Sequence, residues 1–403
     1  MTAITEINLL SQRLNALAES ATLAMTKKAR ELAAEGHKVI SLSVGEPDFP
    51  TPQHIKDAAK KAMDDGFTTY APVPGYPDLR KAVAEKFKRD NNLDWLPENI
   101  VVSTGAKQSI VNVLLSIIDP GDEVIIFAPY WVSYVEMVKL AEGTSVIVKG
   151  GIENDFKVTA QQVEEAITPK TKAILFSSPC NPSGAVFSEK ELRAIGEVVA
   201  KHERIIVIAD EIYEYINFEG SHFSIGSIPV IKDRVVTVNG VSKGFAMTGW
   251  RIGYIGAPKW LAAACDKVQG QITSGASSIS QKAALAAVLG DLTAPKEMAE
   301  AYRRRRDLVL GLLKEIPGLK VNVPQGAFYA FPDVSHYLGK SVNGTKINTA
   351  SDLSMYILNE GLVSTVGGDS FGAPDCIRIS FAASDDNLKE ALRRIKACLL
   401  KLQ

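Results

Sequence analysis

Arg204–Ile212, RIIVIADEI, and Arg234–Gly240, RVVTVNG, are the stretches whose reading decides the fold. Both are short runs of β-branched and aliphatic residues with no polar alternation, and each carries a polar residue or glycine at its end. A strand that is apolar on both faces must be covered on both faces, as a parallel strand between two layers of helices is. Working outward, the same kind of run recurs at IVVS (100–103), DEVIIFAP (122–129), SVIVK (145–149) and KAILFSSP (172–179). Helices are expected over Lys107–Ile118, Tyr130–Leu140, Ser188–His202 and Ser278–Leu289, the third opening with Ser188 and Glu191 as a capping box. Strands alternating with helices imply βαβ units, so the region from about 100 to 240 is α/β on a mostly parallel sheet.

Beyond it, a charged amphipathic helix over Pro295–Ile316 leads to short strands around GLKVNVP (318–324), GAFYAFP (326–332) and CIRISFA (376–382), then a last helix over Asp385–Leu400. This second region is α+β. The Ala-rich segment up to about Ser43 is expected to be helical, and EPDFPTP (46–52) to be a connector. If the first segment packs with the last region, the chain has a large domain over 48–293 and a smaller, discontinuous one over 1–47 with 294–403.

Charge and composition exclude several functions. The 403 residues carry 45 Lys plus Arg against 46 Asp plus Glu, so no long-range field draws nucleic acid or an anionic membrane. The longest apolar run, Ile110–Ile118, is far short of the ~20 residues that span a bilayer. The opening residues lack the basic start of a secretory signal, and a cytoplasmic location is expected. Cys180, Cys265, Cys376 and Cys398 stand far apart and read as reduced thiols, and the five histidines are as scattered, so no metal site is expected.

Several motifs fail. No Gly-x-Gly triplet is present for a dinucleotide fold, and LGKS (338–341) lacks the first glycine of a phosphate loop. The run Arg303–Arg306 spreads round a helix between Glu300 and Asp307 and reads as a solvated face. GVSKG (240–244) fits the G-x-S-x-G elbow of a serine hydrolase, with Asp333 and His336 as downstream acid and histidine. Against that reading, a lysine follows the serine and no HGGG-like oxyanion loop exists.

A different constellation fits better. Asp210 ends one strand, Lys243 follows the next, and Arg251 stands eight residues on. Strand ends on one edge of a parallel sheet are where ligands bind. An acid, an amine and a guanidinium there match a phosphorylated pyridine aldehyde: amine for a Schiff base, carboxylate for the ring nitrogen, guanidinium for the phosphate.

The stretch GVSKGFAMTGWRIG (240–253) resembles the cofactor-lysine signature of the class I aminotransferases, fold type I enzymes that use pyridoxal 5′-phosphate. The resemblance continues through SVGEPDFPTP (43–52), TTYAPVPGYPDLR (68–80), STGAKQ (103–108), APYWVSY (128–134), SSPCNPSG (177–184), ADEIY (209–213) and CIRIS (376–380), nearest to the bacterial-type Iβ aspartate aminotransferases. It implies a seven-stranded, mostly parallel sheet flanked by helices, with the smaller α+β domain beside it. Lys243 is then the Schiff-base lysine that also moves a proton between substrate α-carbon and cofactor, Asp210 the partner of the pyridine nitrogen, and Tyr213 and Asn181 the donors to the phenolic oxygen. Trp131 stacks on the ring. Gly105 and Ala106, with Ser242 and Arg251, meet the phosphate, and Tyr70 reaches it from the other subunit of a homodimer. Arg378 binds the substrate α-carboxylate with Gly45 and Asn181 alongside, while Lys107, helped by a hydroxyl from Ser20 or Thr22, faces a distal carboxylate. The implied reaction is ping-pong transfer from aspartate to 2-oxoglutarate, with prephenate, aromatic or alanine donors as the alternative. Cys180, Ser183 and Gly240 depart from the usual pattern, the last leaving the phosphate one contact poorer.

Overall fold

The computed structural model describes residues 9–403. What was expected of residues 1–8, helix and small-domain membership, lies outside the described residues. The main sheet has seven strands: β1 (Ile100–Ser103), β2 (Glu123–Ala128), β3 (Thr144–Lys149), β4 (Thr171–Ser177), β5 (Ile206–Asp210), β6 (Val235–Gly240) and β7 (Gly253–Gly256). Their order is β1-β7-β6-β5-β4-β2-β3. From β6 to β3 every pairing is parallel, and only β7 runs against its neighbours.

Double-sided burial accounts for the unbroken apolar runs of the inner strands, whereas at the sheet edge Ile147 of β3 stays exposed. In β5, Ile206 and Ile208 enter one core with Ile110, Val113 and Leu261, while Val207 and Ala209 enter the opposite core with Leu192, Ile195 and Val199. Each such aliphatic side chain contributes about 1.5–3 kcal/mol by leaving water. Ser188 caps Glu189–Ala200, and its hydroxyl and Glu191 form the expected capping box.

β7 was not foreseen, because GYIG carries two glycines that weaken a strand. Both are required by close approach. A Cβ on Gly253 would collide with the backbone nitrogen of Ala106, and one on Gly256 would meet the Trp95 ring.

A second core gathers Tyr302, Val309 and Leu313 of α1 (Thr293–Lys314), Leu353 and Ile357 of α2 (Ala350–Gly361), and Leu388, Leu392 and Ile395 of α3 (Asp385–Leu399). These helices pack beside an antiparallel sheet of Val366–Gly367, Ile377–Ser380 and Tyr329–Ala330, in that order. The N-terminal segment touches this part: Ile40–Ser41 pairs with Val363–Ser364, and Met25 and Ala29 pack on Leu358.

Two expectations are corrected. GLKVNVP forms no strand; Lys320 makes one bridge to Asp333, and Pro324 can donate nothing to a ladder. Nor is the arginine run wholly solvated. Arg303 and Arg304 are exposed, but the helical sweep of the same four residues turns Arg305 and Arg306 inward, to 8% and 9% exposure. Arg305 donates to Asp48 at 2.8 Å and lies over the Phe49 ring, clasping the connector 46–52.

Candidate active site

The carboxyl ends of β4, β5 and β6 open on a cavity of about 500 Å³. Asp210 is the last residue of β5, paired in register with Ser177 of β4. After it the chain alternates between two surroundings. Asp210 and Tyr213 line the cavity. Glu211 and Glu214 face away, where Glu211 accepts from Ser224 at 2.7 Å and Asn91 at 3.1 Å and pairs with His222 at 2.9 Å, and Glu214 meets Asn91 and the buried Lys86 ammonium. This polar network holds the segment from behind.

Burial pushes the Asp210 carboxyl up to about 6, opposed by hydrogen bonds from the Tyr134 hydroxyl (2.7 Å) and the Ile212 N–H (3.2 Å). Tyr213 shares a 2.8 Å hydrogen bond with Tyr329, and burial keeps its hydroxyl protonated far above neutral pH.

Lys243 follows the end of β6, and its amine donates to the Gly45 carbonyl at 2.5 Å. Burial lowers this lysine to about 8; Glu46 opposes the shift, while Arg378 and Arg251 add to it.

The anion-facing corner is built from backbone. Gly105 has φ +83° and is the N-cap of the helix Ala106–Ile117, whose first N–H groups have no partners within the helix. Arg251, itself left-handed at φ 55°, donates to the Thr248 carbonyl at 2.8 Å. Its guanidinium lies so close that a Cβ on Gly105 would collide with it. Ser242 lines the same cavity.

Opposite, Arg378 is deeply buried between the Tyr329 and Phe371 rings, 4.6 and 4.9 Å from their centroids. It donates to Asn181 Oδ1 at 2.9 Å and to the Ser43 carbonyl at 2.6 Å. Lys107 stands 4.8 Å over the Trp131 ring, and burial, then Arg251, lowers its proton affinity. Ser20, Thr22 and Leu23 line the same cavity.

Of the residues singled out in the sequence, Gly45, Ala106, Lys107, Trp131, Asn181, Asp210, Tyr213, Ser242, Lys243, Arg251 and Arg378 line one cavity, with Gly105 packed beneath Arg251. Tyr70 does not: it is 98% exposed, on a loop tied down by Gln269 at Val73 and Ser278 at Phe67. Ser242 lines the cavity, but Asp333 and His336 do not, so the hydrolase alternative has no triad there. Sequence reading missed Tyr134, Tyr329 and Glu46. Tyr134 had a usable signal, since it stands three residues after Trp131 in the stretch APYWVSY.

The donor set fits a phosphorylated pyridine aldehyde. A glycine N-cap with no room for a Cβ and an adjoining guanidinium suit the phosphate, a buried carboxylate suits the ring nitrogen, and a buried amine of lowered proton affinity suits the aldehyde.

The model for the family "Aminotransferase class I and II" matches residues 37–395. A Petunia hybrida protein described as a bifunctional aspartate aminotransferase and glutamate/aspartate-prephenate aminotransferase is 47% identical over 401 residues, 98% of this chain and 83% of that protein. The crystal structure of an aspartate aminotransferase from Rhizobium meliloti superposes with a TM-score of 0.94 at 43% identity, covering 98% of this chain and 99% of that one. An aspartate aminotransferase from Thermus thermophilus with maleate gives 0.91 at 42% identity, over 97% and 100%. Alike in sequence and fold over nearly its whole length, the chain belongs to the class I and II aminotransferases, which are pyridoxal-phosphate-dependent transaminases.

Proposed function

We propose that this protein transfers the amino group of aspartate to 2-oxoglutarate in two half-reactions, ping-pong fashion, with pyridoxal 5′-phosphate in the cavity. The observation that carries this reading is the convergence of Lys243, Asp210 and Arg378, from remote parts of the chain, on one cavity that Lys107 also lines. The names of the relatives, and the dicarboxylate maleate in one of them, support aspartate.

When bound, the cofactor supplies an electrophilic carbonyl carbon and a protonated ring that withdraws electrons from the substrate α-carbon. The chain's own residues do the rest. Lys243, poised near 8, offers an appreciable neutral fraction near neutral pH and can take a proton from the α-carbon and return it. Asp210 keeps a negative charge beside the ring nitrogen, in a site where burial removes competing water. Tyr213 and Asn181 donate to the ring oxygen, and Trp131 covers the ring face. Gly105, Ala106, Ser242 and Arg251 hold the phosphate. Arg378, with Gly45 and Asn181, orients the α-carboxylate. Lys107, with Ser20 or Thr22, meets the distal carboxylate.

We infer a homodimer in which Tyr70 completes the neighbour's phosphate site, supported by its full exposure on a fixed loop. A division into 48–293 and 1–47 with 294–403 is supported by a core drawn mostly from residues 298–402, which Leu42, Tyr213 and Ile216 also enter, and a cytoplasmic location by four free, buried thiols. Among the described residues no helix is long and apolar enough to cross a membrane.

A panel of aspartate, glutamate, alanine, phenylalanine and prephenate, assayed on wild type and Lys107→Ala, tests the substrate. A cation that meets the distal carboxylate away from water is worth about 2–5 kcal/mol. The variant should therefore lose tens- to thousands-fold in kcat/KM for aspartate, with little change for alanine or phenylalanine. Equal losses for every donor would show that Lys107 serves the fold or the cofactor.

A further inference from the structure

Tyr134 is fully buried, and its hydroxyl donates to Asp210 Oδ2 at 2.7 Å. Asp210 Oδ1 receives the Ile212 N–H at 3.2 Å, so each carboxylate oxygen has one donor from the protein. Tyr134 is held in turn: its backbone N–H bonds the Trp131 carbonyl at 2.9 Å, and the two rings meet edge to face, 5.6 Å apart at 86°. The residue proposed to cover the cofactor ring thus also steadies the phenol that grips the residue proposed to pair with the ring nitrogen.

We propose that Tyr134 is a positioning residue: it fixes the Asp210 carboxylate in its ionised form and orientation for the pyridine nitrogen of the cofactor. This rests on the assignment of Asp210 above. A donor to a carboxylate stabilises the charged form, and here it counters burial, which favours the neutral acid. The other groups acting on Asp210 are Glu211, next in the chain but turned to the opposite side, whose charge favours the acid, Lys243 after β6, which favours the anion, and the buried, protonated Cys180 and Tyr213. Tyr134 is therefore the side-chain donor to a carboxylate whose remaining surroundings are mostly apolar or neutral. Removing its hydroxyl leaves Asp210 more readily protonated and one oxygen free to turn.

The test is cofactor binding by the cofactor-free protein as a function of pH, not turnover. Pyridoxal phosphate affinity should rise as Asp210 ionises, around 6 in the wild type. In Tyr134→Phe the rise should move to higher pH and affinity below it should fall roughly ten- to a hundredfold, the range for a lost hydrogen bond to a charged group. With 3-fluorotyrosine at position 134, the same shape with a more acidic hydroxyl, the rise should move to lower pH; this second probe preserves the packing should the Phe variant not fold. Asp210→Asn supplies the baseline due to the ligand's own phosphate and to Lys243, whose rise lies higher, near 8. A wild-type profile with either change at position 134 overturns the proposal. If Asp210→Asn itself retains the wild-type rise, the assignment of Asp210 fails, and the proposal with it.

Discussion

Replacing Arg378 by lysine tests the proposed recognition of the α-carboxylate. The wild-type guanidinium lies within 5 Å of the Tyr329 and Phe371 ring centroids and already forks, one nitrogen to Asn181 Oδ1 at 2.9 Å and the other to the Ser43 carbonyl at 2.6 Å. Its remaining Nε is buried with no hydrogen-bond partner among the described residues. A lysine keeps the charge but replaces the fork by a single point. One charge-assisted hydrogen bond to the substrate is lost, worth about 1.5–3 kcal/mol, and either Asn181 or Ser43 is left with a buried, unpaired oxygen at about 1–3 kcal/mol. Part of the second cost is borne equally by the free and substrate-bound protein, so the expected loss in transition-state binding is about 3–4 kcal/mol. Steady-state kcat/KM for Arg378→Lys should fall by roughly two to three orders of magnitude for aspartate, glutamate, alanine and phenylalanine alike, because the α-carboxylate is common to all. Cofactor affinity, measured by absorbance titration, should stay near that of the wild type. A loss confined to the dicarboxylic donors would mean that Arg378 reads the side chain, and the substrate would then have to be turned round in the cavity.

Lys243 gives a pH prediction with a definite sign: the neutral amine is the nucleophile, so the rate of pyridoxal phosphate uptake by the cofactor-free protein should climb with pH and level off above about 8. Glu46→Gln removes a carboxylate that favours the ammonium and should shift that midpoint downward, whereas a wild-type midpoint near the ordinary 10.5 of lysine would remove the burial argument. For Tyr70, mixing Tyr70→Ala and Lys243→Ala chains should restore one intact site in each mixed dimer. No recovery on mixing would end the shared-site reading.

Long-range order in the main sheet was legible because five of its strands are apolar on both faces and the edge strand β3 still carries the run Val146–Val148, a pattern that local sequence cannot hide. β7 was hidden for the opposite reason. Its glycines answer to the start of the helix at Ala106 and to Trp95, contacts no local window contains. The helices Gln53–Asp64, Pro77–Asn91 and Ala350–Gly361 were passed over, although Pro77 and the Thr349–Asp352 box are ordinary start signals. In the site, residues bearing recognisable chemistry at characteristic spacing were found, and those known only by their neighbours were not. Tyr134 and Tyr329 look like core aromatics until Asp210 and Tyr213 are placed against their hydroxyls. Arg305 and Arg306 were misread because a run of four arginines says nothing about which part of a helix is covered.

The site lies on a seam between the two cores, and the connector 46–52 is what keeps that seam in register. Thr51 donates to the Ala246 carbonyl at 2.7 Å and accepts from Trp250 at 3.0 Å, while Thr248 donates to Glu46 at 2.9 Å. The turn that carries Lys243 and Arg251 is thereby laced to the stretch that carries Gly45. From the other side, the Ser380 N–H bonds the Leu42 carbonyl at 2.9 Å, which sets the Ser43 carbonyl within reach of Arg378 two residues back on the same strand. Arg305 clasps Asp48 and Phe49 between these two sets of bonds. Contacts of this kind cost little flexibility at the moment of binding, because the groups are already oriented when substrate arrives. A proline-rich connector with few rotatable alternatives is therefore suited to the place where an amine from one core must meet a carboxylate held by the other.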